Sequence, residues 1–350
     1  MKILITGNLG YIGPVVIRQL RNSYDKVTLI GFDANYFSEC LIIKEQSLPD
    51  FQYFGDIRSF PVDLLKEVDS IIHLAAISND PIGNMNEEVT LDINYRATVE
   101  LAKKAKQLGV KSFVFASSCS VYGFAEDEFR SELSSLNPLT AYARSKVLAE
   151  KGLEKIANEN FKITCLRFAT ACGMSERLRL DLVLNDFVAS AVTSGKIELL
   201  SDGMPWRPLI DIHDIALAIN WAIDRKVESG RYFLIVNVGS SDWNYRIKDL
   251  AEAVSNVVGN VEISINKNAL PDKRSYKVDF KLFKSLASTE YQPKYNLIKT
   301  ITELKDGLNA VSFRDTNFHN SNLIRLRSLE NLRKKGMLTN DFRWVEDEIL

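Results

Sequence analysis

Short apolar runs alternate with longer stretches of helical period through the first half of the chain. KILIT (2–6), KVTLIGF (26–32), FQYFGD (51–56), SIIHLAA (70–76), KSFVFASS (111–118) and KITCLRF (162–168) are rich in β-branched residues and nearly continuous in apolar ones. That is the pattern of strands buried on both faces. Between them, the stretches at about 12–22, 87–109 and 140–160 read as helices. Such alternation predicts a parallel sheet with helices on both sides. Beyond residue 170 the rhythm loosens. Helices are predicted over 180–195, 211–224, 247–258, 278–287 and 298–311, with a strand over 231–239. Leucines at 323, 326, 329 and 332 predict one more amphipathic helix in the tail that starts near 315. No internal repeat or low-complexity linker interrupts the pattern.

Composition changes this picture little. The chain has 350 residues, 46% apolar and 25% charged, with net charge −1. Those are the values of a soluble globular protein with a substantial core, and they give no basis for a nucleic-acid or acidic-lipid surface. The basic run Arg333-Lys334-Lys335 reads as a solvated helix face. The four cysteines (40, 119, 165 and 172) form no CxxC pair, and the three histidines (73, 213 and 319) are scattered, so no metal site is expected. With no signal peptide, no disulfide framework and no apolar stretch near the ~20 residues of a membrane span, a cytoplasmic setting is expected.

The first candidate chemistry follows the first strand. In ITGNLGYIG, Gly7, Gly10 and Gly13 sit where the chain turns tightly, approaches a pyrophosphate and packs a helix against a strand. The helix N-terminus then faces the phosphates, and Pro14 suits a first helical turn. The second strand ends at Asp33, twenty residues beyond Gly13. A carboxylate there accepts hydrogen bonds from the adenosine ribose and repels a 2′-phosphate, so NAD is expected rather than NADP.

The glycine spacing is G-x-x-G-x-x-G, and with it the chain resembles the extended short-chain dehydrogenases/reductases, specifically the NAD-dependent nucleotide-sugar epimerase/dehydratase group. The resemblance runs from residue 1 to about 310. It implies that Asp56 and Ile57 of GDIRS (55–59) meet the adenine. Leu74, Ala75 and Ala76 of HLAA (73–76) would lie along the cofactor, and Asn94 of DINYRAT (92–98) would fill the family's Asn position. Ser118 of SSCSVYG (117–123) and the Tyr142/Lys146 pair of YARSK would be catalytic.

Tyr142 and Lys146 are four residues apart and share a helix face. A phenol with pKa near ~10 is a poor base at neutral pH, and a neighbouring ammonium favours its ionised form. Lys146 would also hold the nicotinamide ribose, and Ser118 would share the proton of the substrate oxygen. The implied chemistry is oxidation of a sugar hydroxyl, with Tyr142 taking the proton.

The loop after Ser118 bears on which reaction follows. Dehydratases of the group carry an Asp-Glu pair there, where this chain has Cys119 and Ser120. Small residues fit the group's 4-epimerases. Cys119 is either a packing residue or an acid/base of the kind used in related 3,5-epimerases, with Ser120 a further candidate. Three functions follow: a nucleotide-sugar 4-epimerase of carbohydrate metabolism and polysaccharide biosynthesis, a 4-keto-sugar-nucleotide reductase or 3,5-epimerase, or a non-catalytic dinucleotide-binding scaffold.

At the substrate end, Arg207 and Arg274 stand where the group grips a sugar-nucleotide pyrophosphate. A guanidinium binds phosphate in a bidentate way, although either residue could instead be a surface ion-pair partner. Thr170 replaces the usual Asn in RFATACG (167–173), where Cys172 replaces a frequent tyrosine. Asn185 resembles a substrate-side Asn, and His213 and Asp214 read as helix caps. The expected architecture is α/β: a Rossmann-type doubly wound parallel sheet over 1–172, rejoined by about 207–240. A smaller C-terminal α/β substrate domain takes 173–206 and 241–350. The expected partners are a nucleoside-diphosphate sugar and a second copy of the chain, paired through helices 87–109 and 140–160.

Overall fold

β1 (Lys2–Thr6) is a central strand of a seven-stranded sheet, and its chain neighbours explain the architecture. It leads through α1 (Gly13–Ser23) to β2 (Thr28–Asp33), β3 (Phe51–Phe54) and β4 (Ser70–His73). A broken helical stretch, α2 (Asp80–Met85), α3 (Glu87–Leu91) and α4 (Ala97–Gln107), leads to β5 (Ser112–Ser118). Then come β6 (Phe124–Arg130), α5 (Ala141–Glu154), β7 (Lys162–Phe168), β8 (Thr170–Cys172), α6 (Val183–Ser194) and β9 (Lys196–Leu199). β10 (Trp206–Asp211), α7 (Ile212–Asp224), β11 (Phe233–Val238), β12 (Asn244–Arg246), α8 (Ile247–Val258) and β13 (Glu262–Ile265) follow. β14 (Ser275–Val278), α9 (Lys281–Leu286), α10 (Leu297–Ala310) and α11 (Arg325–Lys334) complete the order. These positions come from a computed structural model, which describes residues 1–78, 80–227, 231–265 and 274–345.

The main sheet runs β11-β7-β5-β4-β1-β2-β3 and is parallel throughout. From β1 the chain first adds strands on one side and then, at β4, on the other. The order therefore reverses between β1 and β4, which places a crevice at the carboxyl ends of those two strands. Alternate residues of β1 serve different cores. Ile3 and Ile5 join one with Val16, Leu20 and Ile219, while Leu4 joins another with Leu101, Phe113 and Leu153. The two-residue period sends successive side chains to opposite faces, and the apolar runs were continuous for that reason.

The remaining strands form small sheets, β12-β10-β8, β13-β9 and β14-β6. β6, β8, β9, β10, β12, β13 and β14 carry no sequence signal recognised above. They are short and pair with strands distant in the chain. The helices predicted beyond residue 170 are present, with α9 reduced to Lys281–Leu286. The stretch predicted as one helix over 87–109 is interrupted by a π-helical turn, Asp92–Arg96. The predicted 140–160 helix ends at Glu154. The α7 cap is Asp211, which accepts from His213 N at 2.8 Å. Asp214 instead accepts from Lys294 N and Tyr295 N, correcting the expected cap. Among the described residues no helix is long and apolar enough to cross a membrane, and all four cysteines are free and buried.

Candidate active site

The crevice between β1 and β4 opens into a cleft of about 740 Å³ lined from both the main sheet and the later elements. Its floor is the glycine turn. Gly7 has φ +74°, and a Cβ there would lie 2.5 Å from Ala75 N; a Cβ on Gly13 would lie 2.0 Å from Asn8 O. Both positions therefore require glycine. The first turn of α1 has no side-chain cap and no acidic residue, so its free N–H groups and positive dipole end suit an anion. Gly10, Tyr11 and Ile12 line the cleft beside it. A backbone cradle with no room for a Cβ, followed by an uncapped helix start, fits the diphosphate of a dinucleotide.

Asp33 lines the cleft at the end of β2, accepting from Leu9 N at 3.0 Å and Asn35 N at 2.7 Å. Burial pushes its carboxyl above the usual range, against those two donors and the nearby Arg177 and Arg325. Asp56 and Ile57 also line the cleft. The Asp56 carboxylate is gripped by Arg58, with both oxygens 2.9 Å from Nε, and it lies 3.5 Å from Arg343. Leu74, Ala75 and Ala76 form the adjoining wall. Asn94 does not: its amide is fully buried, accepting from Ile77 N and donating to Ile77 O and Ser145 Oγ. It braces the π-turn against α5, which corrects its placement among cofactor contacts.

The catalytic candidates come from two elements. Ser118 ends β5, and Tyr142 and Lys146 rise from the first turns of α5, whose N-cap Thr140 accepts from Ala143 N. All three line the cleft. Lys146 Nζ lies 5.5 Å from the Tyr142 ring centroid and 4.6 Å from that of Phe115, and donates to Ala116 O at 2.7 Å. Burial pushes its pKa down to about 7. Ser118 Oγ accepts from Ser120 N at 3.1 Å and keeps its own proton to donate. Ser120 Oγ is buried and has no partner in the folded chain, although the residue lines the cleft.

Cys119 is placed differently. Its thiol donates to Arg167 O at 3.2 Å, it is not among the cleft-lining residues, and burial pushes its pKa well up. Its direction toward the Arg167 carbonyl, away from the cleft lining, corrects its candidacy as an acid/base, and burial disfavours the thiolate such a role needs. Cys172 is likewise buried, bonded to Ile210 O. Thr170, Arg207 and Arg274 line the cleft. Arg207 donates to Trp206 O at 2.8 Å and to Arg274 O, so these two residues are joined. Asn185 is fully buried and turned from the cleft. Its amide accepts from Gly173 N and donates to Arg179 O and Tyr11 OH, which makes it a brace and corrects its placement as a substrate contact.

Several residues that shape the site have no local signal. Behind Ser118 lies a buried ion pair, Arg167 with Glu150, at 2.6 Å. Ser117 Oγ donates to Glu150, Arg167 donates to Tyr122 OH, and Tyr122 OH donates to Asn237. The pair ties β5, β7 and α5 together, fixing Ser118 relative to Lys146. Arg179 lines the cleft, paired with Asp181 at 2.9 Å and bonded to Ser78. Ile324, Arg325 and Leu326, from the tail, also line it. Only the period-three leucines hinted at order there.

A parallel doubly wound sheet, a glycine turn at its switch point and a Ser/Tyr/Lys group define a dinucleotide-dependent oxidoreductase class. The chain belongs to the NAD dependent epimerase/dehydratase family, whose model matches residues 3–239, and is an enzyme of the extended short-chain dehydrogenase/reductase type. An uncharacterized UDP-glucose epimerase of Bacillus subtilis (strain 168), YtcB, is 30% identical over 254 residues, covering 69% of this chain and 78% of that protein. Among solved structures, the NAD-dependent NDP-hexosamine 5,6-dehydratase TunA, involved in tunicamycin biosynthesis, has a TM-score of 0.77 at 22% identity, over 90% of this chain and 99% of that one. The UDP-glucuronic acid 4-epimerase of Bacillus cereus has a TM-score of 0.75 at 21% identity, over 89% and 100%. At those identities the likeness to the two structures is one of fold.

Proposed function

We propose that the protein is a nucleoside-diphosphate-sugar 4-epimerase, oxidising the sugar's C4 hydroxyl to a ketone and reducing it again from the other face. The observation that carries this reading is the convergence of Ser118, Tyr142 and Lys146 on one cleft with the glycine turn, while the loop after Ser118 holds Cys119 and Ser120 and no carboxylate. NAD, when bound, supplies reversible acceptance of hydride from the sugar carbon.

The chain's own residues handle the proton and the orientation. Tyr142 Oη takes the hydroxyl proton as the ketone forms and returns it on reduction. Lys146, one turn along the helix, stabilises the phenolate by its charge, and the phenolate in turn favours the charged ammonium. The Ala116 carbonyl aims that ammonium. Ser118 donates to the same substrate oxygen. Arg207 and Arg274 anchor the sugar nucleotide's diphosphate, and Thr170 lies on the sugar side. Eliminating water from the keto sugar would call for an acid/base pair in the loop, and the buried Cys119 thiol supplies neither partner. The inward turn of that thiol also weighs against a 3,5-epimerase. The same reading includes a homodimer paired through α4 and α5.

Incubation of the purified protein with a panel of nucleoside-diphosphate sugars, with product configuration read by NMR, tests this. Interconversion of C4 epimers without net change in NAD is expected. Tyr142→Phe is expected to slow it by about 10²–10⁴-fold. Net consumption of NADH, or loss of water from the sugar, would overturn the epimerase assignment.

A further inference from the structure

Beyond the segment matched by the family model, the chain returns to the dinucleotide cleft. Trp344 Nε1 donates to Ala34 O at 2.6 Å, and its ring lies 5.8 Å from that of Tyr36. Tyr36 OH donates to Phe342 O, and Arg58 Nη1 donates to Asp341 O at 2.9 Å. Arg343 lies against Asp56. The tail therefore closes around Asp33–Tyr36 and Asp56–Arg58, the ends of β2 and β3 where the adenosine is expected. Phe318, Leu329, Leu338 and Phe342 are buried, so this is packed structure.

Within that tail, one side chain has an unmet need. Arg325 opens α11, lines the cleft and is 3% exposed. Its guanidinium lies over the Phe37 ring at 4.6 Å, and Nη2 donates to Arg177 O at 3.0 Å. Nη1 is buried and has no hydrogen-bond partner in the folded chain. A buried guanidinium N–H left unpaired is costly and is rarely retained without a use. Its charged surroundings point to an anion. Arg177 and Arg179 are close enough to repel it, and the acids around the three arginines are Asp33, Asp181 and Glu176. Asp181 is already paired with Arg179, and Asp33 already accepts two backbone donors. Glu176, beside Arg177, is likewise engaged by Arg18 and Ser47, and no carboxylate of this neighbourhood answers Arg325 Nη1.

We propose that residues 318–345 form a strap over the adenosine end of the cleft and that Arg325 is its ligand contact, donating from Nη1 to an oxygen of the adenosine-diphosphate half of the bound dinucleotide. This rests on the reading of the cleft as an NAD site. Binding and strap closure are then reciprocally coupled: the dinucleotide satisfies the orphaned donor, and the closed strap slows dinucleotide release. Slow exchange suits a cycle in which NAD returns to its starting state at every turnover.

The test follows loss of radiolabelled NAD+ from the loaded holoenzyme during a chase with unlabelled NAD+. Arg325→Gln is expected to release it about tenfold faster or more, since one charge-assisted bond is lost. Arg325→Lys, which keeps the charge and loses the fork, is expected to fall between. As a second measurement needing no variant, hydrogen exchange in 318–345 is expected to slow when the parent binds NAD+. Release from Arg325→Gln within twofold of the parent, or exchange in 318–345 unchanged by NAD+, overturns the strap. A preference for NADP+ over NAD+ that Arg325→Gln abolishes also overturns it, by placing the guanidinium at a 2′-phosphate. A parent that retains NAD+ but epimerises no sugar overturns the functional reading and leaves the strap standing.

Discussion

Lys146 is held almost entirely out of water with Ala116 O as its hydrogen-bond acceptor, and its pKa falls to about 7. An unfolded lysine titrates near ~10.4. Between those values the unfolded chain binds more protons than the folded one at this site, so its contribution to stability rises with pH. Below about pH 7 the folded state bears the full penalty of a buried ammonium. Lys146→Met is therefore expected to melt no lower than the parent at pH 7 and to lose part of the parent's rise in melting temperature between pH 7 and 10, while losing turnover. Thermal melts across that range check this. A variant with an unchanged pH slope would show that the lysine is better solvated than its burial indicates.

At the scale of elements, one helix and two strands meet through polar bonds rather than apolar contacts alone. The buried Arg167–Glu150 pair joins β7 to α5 and, through Ser117, to β5. Breaking one side of a buried pair leaves an uncompensated charge, so Arg167→Met is expected to destabilise by about 3–5 kcal/mol. Adding Glu150→Gln should recover part of that loss, and a double-mutant cycle from melting curves measures how much. If the double variant is as unstable as the sum of the singles, the two side chains are not coupled. The π-turn at Asp92–Arg96 has a similar origin. A straight helix was legible in the apolar spacing of 87–109, but the break comes from Asn94 reaching across to Ile77 and Ser145. Such insertions often occur at functional sites, and the apolar period does not record them.

For the whole molecule, the homodimer proposed above concerns the outer faces of α4 and α5. Leu148 on α5 is exposed, and the proposed homodimer would cover that helix. Sedimentation of the parent is expected to give twice the chain mass, and Leu148→Arg is expected to shift it to one. A monomeric parent would overturn the dimer. The candidate site is assembled at this scale too. Its lining draws on separate segments between Gly7 and Leu326, brought together in one cleft.

The sequence by itself determined the parallel sheet with its companion helices, the glycine turn and the helical pairing of Tyr142 with Lys146. Each of these rests on local spacing: continuous apolar runs, a turn that admits no Cβ, and two side chains one helical turn apart. Tertiary structure alone decided which polar side chains reach the cleft. It turned Cys119, Asn94 and Asn185 inward as packing and braces, and it brought the tail, through Arg325 and Trp344, back to Asp33 and Ala34. Those outcomes depend on contacts between residues tens to hundreds of positions apart. Hydrogen-bond partners at such distances leave no periodic trace in the chain.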